Sequence, residues 1–554
     1  MSDETDNAAA TKAKPTIEIV LDMVRTVLKE PGVAADDHFL ARGGDSLKGA
    51  QLVHRFNECF NIEMDLADLF DQLNIAALAD RVDQAITNVP VRAGARARPD
   101  VHAAEEGPLS GQQSAIWAAE QLEPGSGAYN VPGVFLFDRV IDAGPLRERL
   151  DSLVRRHPML RCVLREASDG TRQVVRPAET ATVDIERLEL DLATKTSSEG
   201  RPTLIAALTD LVGQPLSPYK STMRAQLVLV RFADREQHAL ALTVHHLFCD
   251  GWSWQLLLAE LSGRRQPASS RHYLDFVRDQ RQLLSGERGR TLSRFWSEYL
   301  EKRPMMALPS AIGAGDVSAP QRGSALTFHL EPEVVRGLLA FARRERATTN
   351  MVLLAAWMVL LWKISGVRDQ CVAIAVNGRK PQDEDVVGCF VNTIAVRTPL
   401  RPHESFSACL TDVRQAQLAA LAHADLPTDQ LVRLANPGST TMLAPTNFSF
   451  QAGVEPFTSF GGVPAYENEF LVDIDPAEPT FPLSVSVMEY AAEMIALVKY
   501  STELFRPETV TGWFHEFLTL LEHIARDGGH SNLIELFGDE AAPTGAVALP
   551  DFTF

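Results

Sequence analysis

"TVHHLFCDGWSW", residues 243–254, sets two adjacent histidines ahead of an Asp-Gly pair near the middle of the chain. The run leading into it, "HALALTVHH" at 238–246, alternates apolar residues in the manner of a strand. Successive side chains on a strand point to opposite faces, so His245 and His246 cannot both ligate one metal or both act on one substrate. One of the two is then active and the other structural. Gly251 allows a tight turn after the strand, and Asp250 reaches back to fix the local geometry. A histidine titrates near neutrality, which suits it to accept or share a proton. On these residues alone, a pair of satisfied core histidines and a metal site remain open readings.

Outward from this stretch, strand-like runs alternate with helical ones. "GVFLF" (133–137), "RAQLVLVRF" (224–232), "CVAIAV" (371–376) and "FVNTIAVRT" (390–398) read as strands, and Gly144–Arg156 and Glu331–Ile364 carry helical periodicity. This is a mixed α/β domain over residues 108–537, in two lobes, an N-lobe of about 108–270 and a C-lobe of about 271–537. The longest apolar run, "MVLLAAWMVLLW" (351–362), is shorter than the roughly 20 residues that cross a bilayer. It reads as a buried core helix, with no membrane span expected.

The N-terminal part has another grammar. After a polar tail at 1–14, Ile17, Val20, Val24, Val27 and Leu28 recur at helical spacing, a second helix begins near Ser46, and a third covers 75–86. Residues 15–88 thus form a small all-α bundle of three or four helices. Residues 89–107, rich in Ala, Arg, Pro and Glu, have linker composition. Residues 538–554 read as a flexible tail, whose closing "ALPDFTF" is either plain chain end or a docking motif for a partner.

"FLARGGDSLKG" (39–49) places Ser46 after a double glycine at the head of the second helix. Backbone N–H groups and the dipole at a helix start favour a negative charge, so a phosphodiester on Ser46 is well placed there. Helix capping by Asp45 or Ser46 is the plainer alternative. A nucleophile elbow is excluded, because GxSxG needs a glycine where Lys48 stands.

Composition sets outer bounds. The 554 residues are 45% hydrophobic and 23% charged, as in soluble globular proteins. The net charge of -19 argues against a nucleic-acid backbone as partner. The six cysteines are scattered with no CxxC pair, so neither a disulfide framework nor a zinc site is expected. An acidic N-terminus without an apolar run points to a cytoplasmic protein.

Residues 15–88 resemble a peptidyl carrier protein, the helical domain whose "GGDSL" serine bears 4'-phosphopantetheine. The resemblance implies that Ser46 is the attachment point; Ala41-Arg42 departs from the family's usual pair. Further on, "LSGQQSAIWAAEQLEPGSGAYNVP" (109–132), "RRHPMLRCVL" (155–164), "HHLFCDG" (245–251), "HYLDFV" (272–277), "VVGCFVNT" (386–393) and "HADLPTDQLV" (423–432) are similar, in order, to the motifs of nonribosomal peptide synthetase condensation domains.

That resemblance implies a chloramphenicol acetyltransferase-like fold with two lobes around a tunnel. It assigns His246 the catalytic position and His245 and Asp250 structural ones. An arginine later in the chain pairs the buried Asp in this family, and Arg379 in "AVNGRKP" is the best match; its fork suits a carboxylate. Gly251 holds the turn, with its backbone near the reacting carbonyl. Ala115, where the first motif usually has Arg, and the reduced last motif "PTNFSFQ" (445–451) depart from the pattern.

The expected function is therefore a carrier that presents a donor aminoacyl or peptidyl thioester and a condensation domain that transfers it to an amine or hydroxyl. The first motif is closer to the subtype taking an L-configured donor. Partners expected are a phosphopantetheinyl transferase, an adenylation enzyme loading the carrier in trans, and an acceptor carrier protein or free acceptor, the chain being a free-standing two-domain piece of an assembly line. An epimerisation domain shares the fold and the HHxxxDG pattern, but no match to its acidic EGHGR-type motif is found. A non-catalytic platform that binds carriers is the rival of another class.

Overall fold

The computed structural model describes residues 15–87 except 45, 61, 63, 65, 71 and 73, and residues 106–540 except 123–124, 169, 180, 265–270, 305, 307, 310–322, 436–442, 455–456, 461, 466–479 and 491–492. The expected tail 1–14, linker residues 89–105 and final residues 541–554 lie outside the described residues. The chain divides into two compact units, residues 1–97 with 342–349, and residues 98–341 with 350–554.

Among the described residues of 15–87 lie four α-helices, α1 (Thr16–Leu28), α2 (Ser46–Phe60), α3 (Leu66–Phe70) and α4 (Ile75–Thr87). Val20, Val24 and Val27 fall on one face of α1 and are buried, as are Leu78 and Val82 on α4, against which α1 packs. Lys29 ends α1 in the left-handed conformation at φ 55°. Between α1 and α2, Phe39 stacks on Phe70 with ring centroids 6.1 Å apart.

The second unit opens with β1 (Glu106–Pro108), α5 (Gly111–Leu122), β2 (Asn130–Phe137) and α6 (Ala143–Arg156). Then come β3 (Cys162–Ala167), β4 (Gly170–Val175), β5 (Ile185–Leu192), α7 (Ser197–Gly213), β6 (Met223–Phe232) and β7 (Glu236–His245). Helices α8 (Gly251–Leu261), α9 (Tyr273–Ser285) and α10 (Glu287–Tyr299) follow. The later half holds β8 (Gly323–Leu330), α11 (Pro332–Arg344), α12 (Thr349–Ser365), β9 (Asp369–Val376), β10 (Asn392–Pro399), α13 (Phe406–Leu421) and α14 (Thr428–Ala435). It closes with β11 (Thr446–Gln451), β12 (Ser459–Phe460), β13 (Val463–Pro464), β14 (Leu483–Glu489), β15 (Met494–Ser501) and α15 (Pro507–Asp527).

Two main sheets organise this unit: a four-stranded one in the order β2-β7-β6-β5, and a six-stranded one in the order β10-β9-β11-β14-β15-β8. The apolar run 351–362 lies within α12 and is buried along its whole length, which explains why it is apolar on every side. The helical pattern over 331–364 proves to be two helices, α11 and α12, bent by 105°, with Arg346 left-handed at φ 51° between them. Among the described residues no single helix is long and apolar enough to cross a membrane. The lobes also exchange chain: Phe457 and Phe460 from the later half join the core beneath the four-stranded sheet, with the Phe457 ring 4.7 Å from that of Phe135.

Candidate active site

Strand β7 ends at His245, one residue earlier than its sequence pattern suggests, and the backbone then turns. His246 is therefore aimed by the turn and not by strand alternation. The N–H of His246 donates to Tyr129 O at 2.8 Å, and that of Phe248 donates to His245 O at 2.9 Å. Asp250 closes the turn as the N-cap of α8, its carboxylate accepting from the Ser253 N–H at 2.8 Å. Trp254 on the first turns of α8 lies over Gly133 of β2, where a Cβ would come within 2.1 Å of the indole. A glycine is what lets α8 sit that close to the sheet.

The carboxylate of Asp250 is the electrostatic centre of the region. Arg379 donates to it through two nitrogens, at 2.6 and 2.9 Å, and both side chains are only 2% exposed. The N–H groups of Phe390 and Val391 add bonds of 2.9 and 3.1 Å to the same carboxylate. Burial by itself pushes the Asp250 carboxyl up, but the Arg379 charge and hydrogen bonds from Arg379 and Ser253 outweigh it and hold the group below the usual carboxylate range. Arg379 also donates to Ser253 Oγ at 2.6 Å and stacks 4.2 Å from the Phe390 ring centroid. A buried ion pair this well hydrogen-bonded fixes the relation between α8 and the 386–391 segment.

That segment brings Cys389 to the catalytic candidate. Its Sγ lies 3.9 Å from His246 Nδ1, which leaves Nε2 as the ring atom available to a substrate. Burial pushes the Cys389 thiol well above its ordinary value, so it stays protonated. His246 is half-buried. Burial also lowers the pKa of His246, against a hydrogen bond to its own backbone and the Asp250 charge, both of which raise it. The ring is held neutral, which is the form that accepts a proton.

His245 is enclosed and differently employed. Its Nδ1 accepts from the Leu247 N–H at 3.2 Å, so Nε2 carries the proton and points it at Glu120 of α5, 3.3 Å from Oε1 and 3.1 Å from Oε2. Sequence reasoning does not find Glu120, because nothing in the spacing of α5 marks which residue meets a strand more than a hundred positions later. The helix–turn contact is reinforced by Gln113, whose Nε2 donates to Leu247 O at 2.8 Å.

Other segments singled out in the sequence converge here. Tyr273 donates to Cys389 O at 2.5 Å and pairs with Ser110 Oγ at 2.9 Å. Asn392 donates to Ala424 O and Leu426 O and accepts from Thr428 N. Gly251, the first residue of α8, faces Gln451 at the end of β11, whose Nε2 would lie 3.7 Å from an added Cβ. Among the described residues no group of three or more His, Cys, Asp and Glu is arranged to hold a metal.

In the first unit, Ser46 is the first residue of α2, preceded by Gly43 in the left-handed conformation at φ 84° and by Gly44, whose N–H donates to Phe39 O at 3.0 Å. Asp45 lies outside the described residues. Lys48 Nζ donates to Gly43 O at 2.8 Å across the mouth of this turn. A serine opening a fifteen-residue helix behind a glycine turn fits an attached phosphodiester.

Comparison with known proteins agrees with both halves. The model of the condensation domain matches residues 103–533, and that of the phosphopantetheine attachment site matches residues 18–82. The chain is 28% identical over 544 residues, 95% of its length, to a linear gramicidin synthase protein of Brevibacillus parabrevis, and 29% identical over 540 residues, 93% of its length, to a dimodular nonribosomal peptide synthase of Bacillus subtilis strain 168. It spans only 10% and 22% of those two proteins. Its fold matches that of a four-domain nonribosomal peptide synthetase solved with AMP and glycine, with a TM-score of 0.67 at 21% identity, covering 81% of this chain and 35% of that one. It also matches the first condensation domain of the calcium-dependent antibiotic synthetase, with a TM-score of 0.64 at 20% identity, covering 79% of this chain and 99% of that one.

Proposed function

Since the chain belongs to the condensation-domain family of nonribosomal peptide synthetases and carries a phosphopantetheine attachment domain ahead of it, we propose that it joins a donor held on its own carrier to an acceptor nucleophile, with Ser46 as the attachment point and His246 as the proton-handling residue. Ser46 would hold the 4'-phosphopantetheine, whose thiol would carry the donor acyl group as a thioester and serve as its leaving group. Ser46, the first residue of α2, is the residue this reading assigns to modification. His246, neutral and half-buried, orients the acceptor amine or hydroxyl through Nε2 and takes up its proton.

The observation that carries this reading is the five-bond clamp on Asp250. Arg379, Ser253, Phe390 and Val391 all donate to one buried carboxylate, and the turn it caps is the one that presents His246. His245, Asp250, Gly251 and Arg379 are positioning residues in this scheme. A phosphopantetheinyl transferase, an adenylation enzyme and an acceptor carrier or free acceptor are the partners it requires.

Intact-protein mass spectrometry tests the proposal. An aminoacyl-phosphopantetheine is installed on the chain, candidate aminoacyl carriers, amines and alcohols are added, and the products are weighed beside a His246→Ala control. Transfer that disappears in the control supports condensation. Deuterium exchange at the donor α-carbon without transfer would make the domain an epimerase, and binding of carriers with neither would make it a recruitment platform.

A further inference from the structure

Gly251 opens α8 at the turn that presents His246, yet nothing in its own backbone calls for a glycine. Its φ lies outside the left-handed region, and an added Cβ would meet only Gln451 Nε2, at the ordinary contact distance of 3.7 Å. Elsewhere in this region the protein itself fills the space a glycine leaves. A Cβ on Gly133 would come within 2.1 Å of Trp254, and one on Gly388 within 2.2 Å of the Tyr273 ring. Alanine also favours a helix over glycine. Gly251 forgoes that with no packing gain, so the room beside it is left for a group that is not part of the chain.

Gln451 borders that room from the six-stranded sheet. Its backbone is fixed in β11, opposite Met488 of β14, while its side chain is exposed and makes no hydrogen bond among the described residues. Two residues back on the same face, Ser449 is satisfied by Ser486 at 2.8 Å, which leaves Gln451 as the open polar group at this end of the strand. Gly251, across from it, is exposed as well. The N–H of Cys249 donates to His246 O at 3.4 Å and that of Asp250 to Gly388 O at 3.3 Å, which keeps Gly251 and His246 in one compact turn. A carboxamide N–H set against bare backbone, beside a ring that accepts a proton, suits a flat carbonyl group whose oxygen takes a hydrogen bond.

We propose that Gln451 contacts the substrate, its Nε2 donating to the carbonyl oxygen of the donor acyl group seated over Gly251. This rests on the condensation reading, since that carbonyl carbon is the one the acceptor attacks. Transfer forms a bond from the acceptor nitrogen or oxygen to this carbon and breaks its bond to sulfur, with the acceptor proton passing through His246 Nε2 to the departing sulfur. The carbonyl oxygen gains negative charge as the first bond forms and loses it as the second breaks. A hydrogen bond to that oxygen therefore favours the transition state over the ground state. Gly251 serves by lacking a side chain, because a Cβ there would hold the carbonyl away from the carboxamide.

Two readouts on the full chain test it. The first is binding, with Ser46 unmodified, of a ketone analogue of alanyl-pantetheine that has a methylene in place of sulfur, beside the same compound with the ketone reduced to a methylene. The parent should bind the ketone more tightly by roughly three- to ten-fold, the scale of one neutral hydrogen bond, and Gln451→Leu should bind the two alike. The second is transfer from the alanyl-loaded carrier. There Gln451→Leu should lower kcat by at least about ten-fold, with little change in the KM for the acceptor and none in melting temperature. Gly251→Ala should also lower transfer without loss of melting temperature, and adding it to Gln451→Leu should reduce the rate by less than the product of the two single effects. No ketone preference in the parent, a preference that survives in Gln451→Leu, or an unchanged kcat in that variant overturns the role of Gln451, while His246-dependent transfer leaves condensation standing. Absence of His246-dependent transfer to every acceptor, carrier-bound ones included, overturns condensation itself and the inference with it.

Discussion

Asp250 and Arg379, 129 positions apart, meet as a two-pronged ion pair with both side chains nearly closed to solvent. The pair ties the N-terminus of α8 to the 386–391 segment, and its surroundings answer the cost of burying two charges with three backbone N–H donors on the carboxylate. Arg379→Ala leaves an uncompensated buried carboxylate and is expected to destabilise the domain by about 3–5 kcal/mol. Arg379→Lys keeps the charge but loses the fork, and should recover only part of that. Urea denaturation of the two variants and of Asp250→Asn checks it. An Arg379→Ala protein as stable as the parent would show that the clamp contributes little.

The pH dependence follows from two depressed pKa values. Asp250 is held below the usual range, so its contribution to stability is present above the unfolded value of about 3.9 and is lost as pH falls through the folded value. His246 is also depressed, chiefly by burial. The unfolded chain therefore takes up that proton near pH 6.5 while the folded one does not, and stability declines as pH falls below about 6.5. His246→Gln should flatten this limb between about pH 6.5 and 5, measured by denaturation midpoints. The acid limb of the transfer rate should likewise lie below about pH 6.5, since the ring stays a base to lower pH than a free histidine.

Glu120 and His245 give a separable test of positioning. Glu120→Gln retains an oxygen to accept the His245 Nε2 proton and should preserve most activity. Glu120→Leu strands a buried N–H, at a cost of about 1–3 kcal/mol, and releases the ring whose Nδ1 holds the Leu247 amide. The Leu variant should therefore lose kcat more than KM, with the pH profile of His246 shifted. Equal behaviour of the Gln and Leu variants in steady-state kinetics would remove Glu120 from the positioning scheme.

Gly133 sets how closely α8 approaches β2. Gly133→Ala puts a Cβ into the Trp254 ring and should cost about 1–3 kcal/mol by overpacking. Gly133→Ala combined with Trp254→Leu should recover part of that loss, a coupling readable in a double-mutant cycle of thermal melts.

What the sequence determined by itself is what short-range chemistry decides. Apolar spacing placed α1, α2 and α4 of the first unit and strands β2, β6, β7, β9 and β10 of the second, because burial of one face imposes a period on neighbouring residues, while α3 and strands β5, β8, β14 and β15 went unplaced. The glycine turn before Ser46 and the His-His and Asp-Gly pairs were legible for the same reason, each being a local backbone or side-chain requirement. Arg379 as the partner of Asp250 came from family resemblance, since no local signal links residues so far apart.

Tertiary structure alone decided the rest. The orientation of His246 depends on a strand that stops at His245 and on Tyr129 of another segment. The Glu120–His245 pair depends on where α5 lies against β7. Gln451 comes to Gly251 only because the strand order β9-β11-β14 and its registers carry the end of β11 to the start of α8. Sheet registers are set by the fit of buried faces over the whole domain, and no window of sequence contains that information.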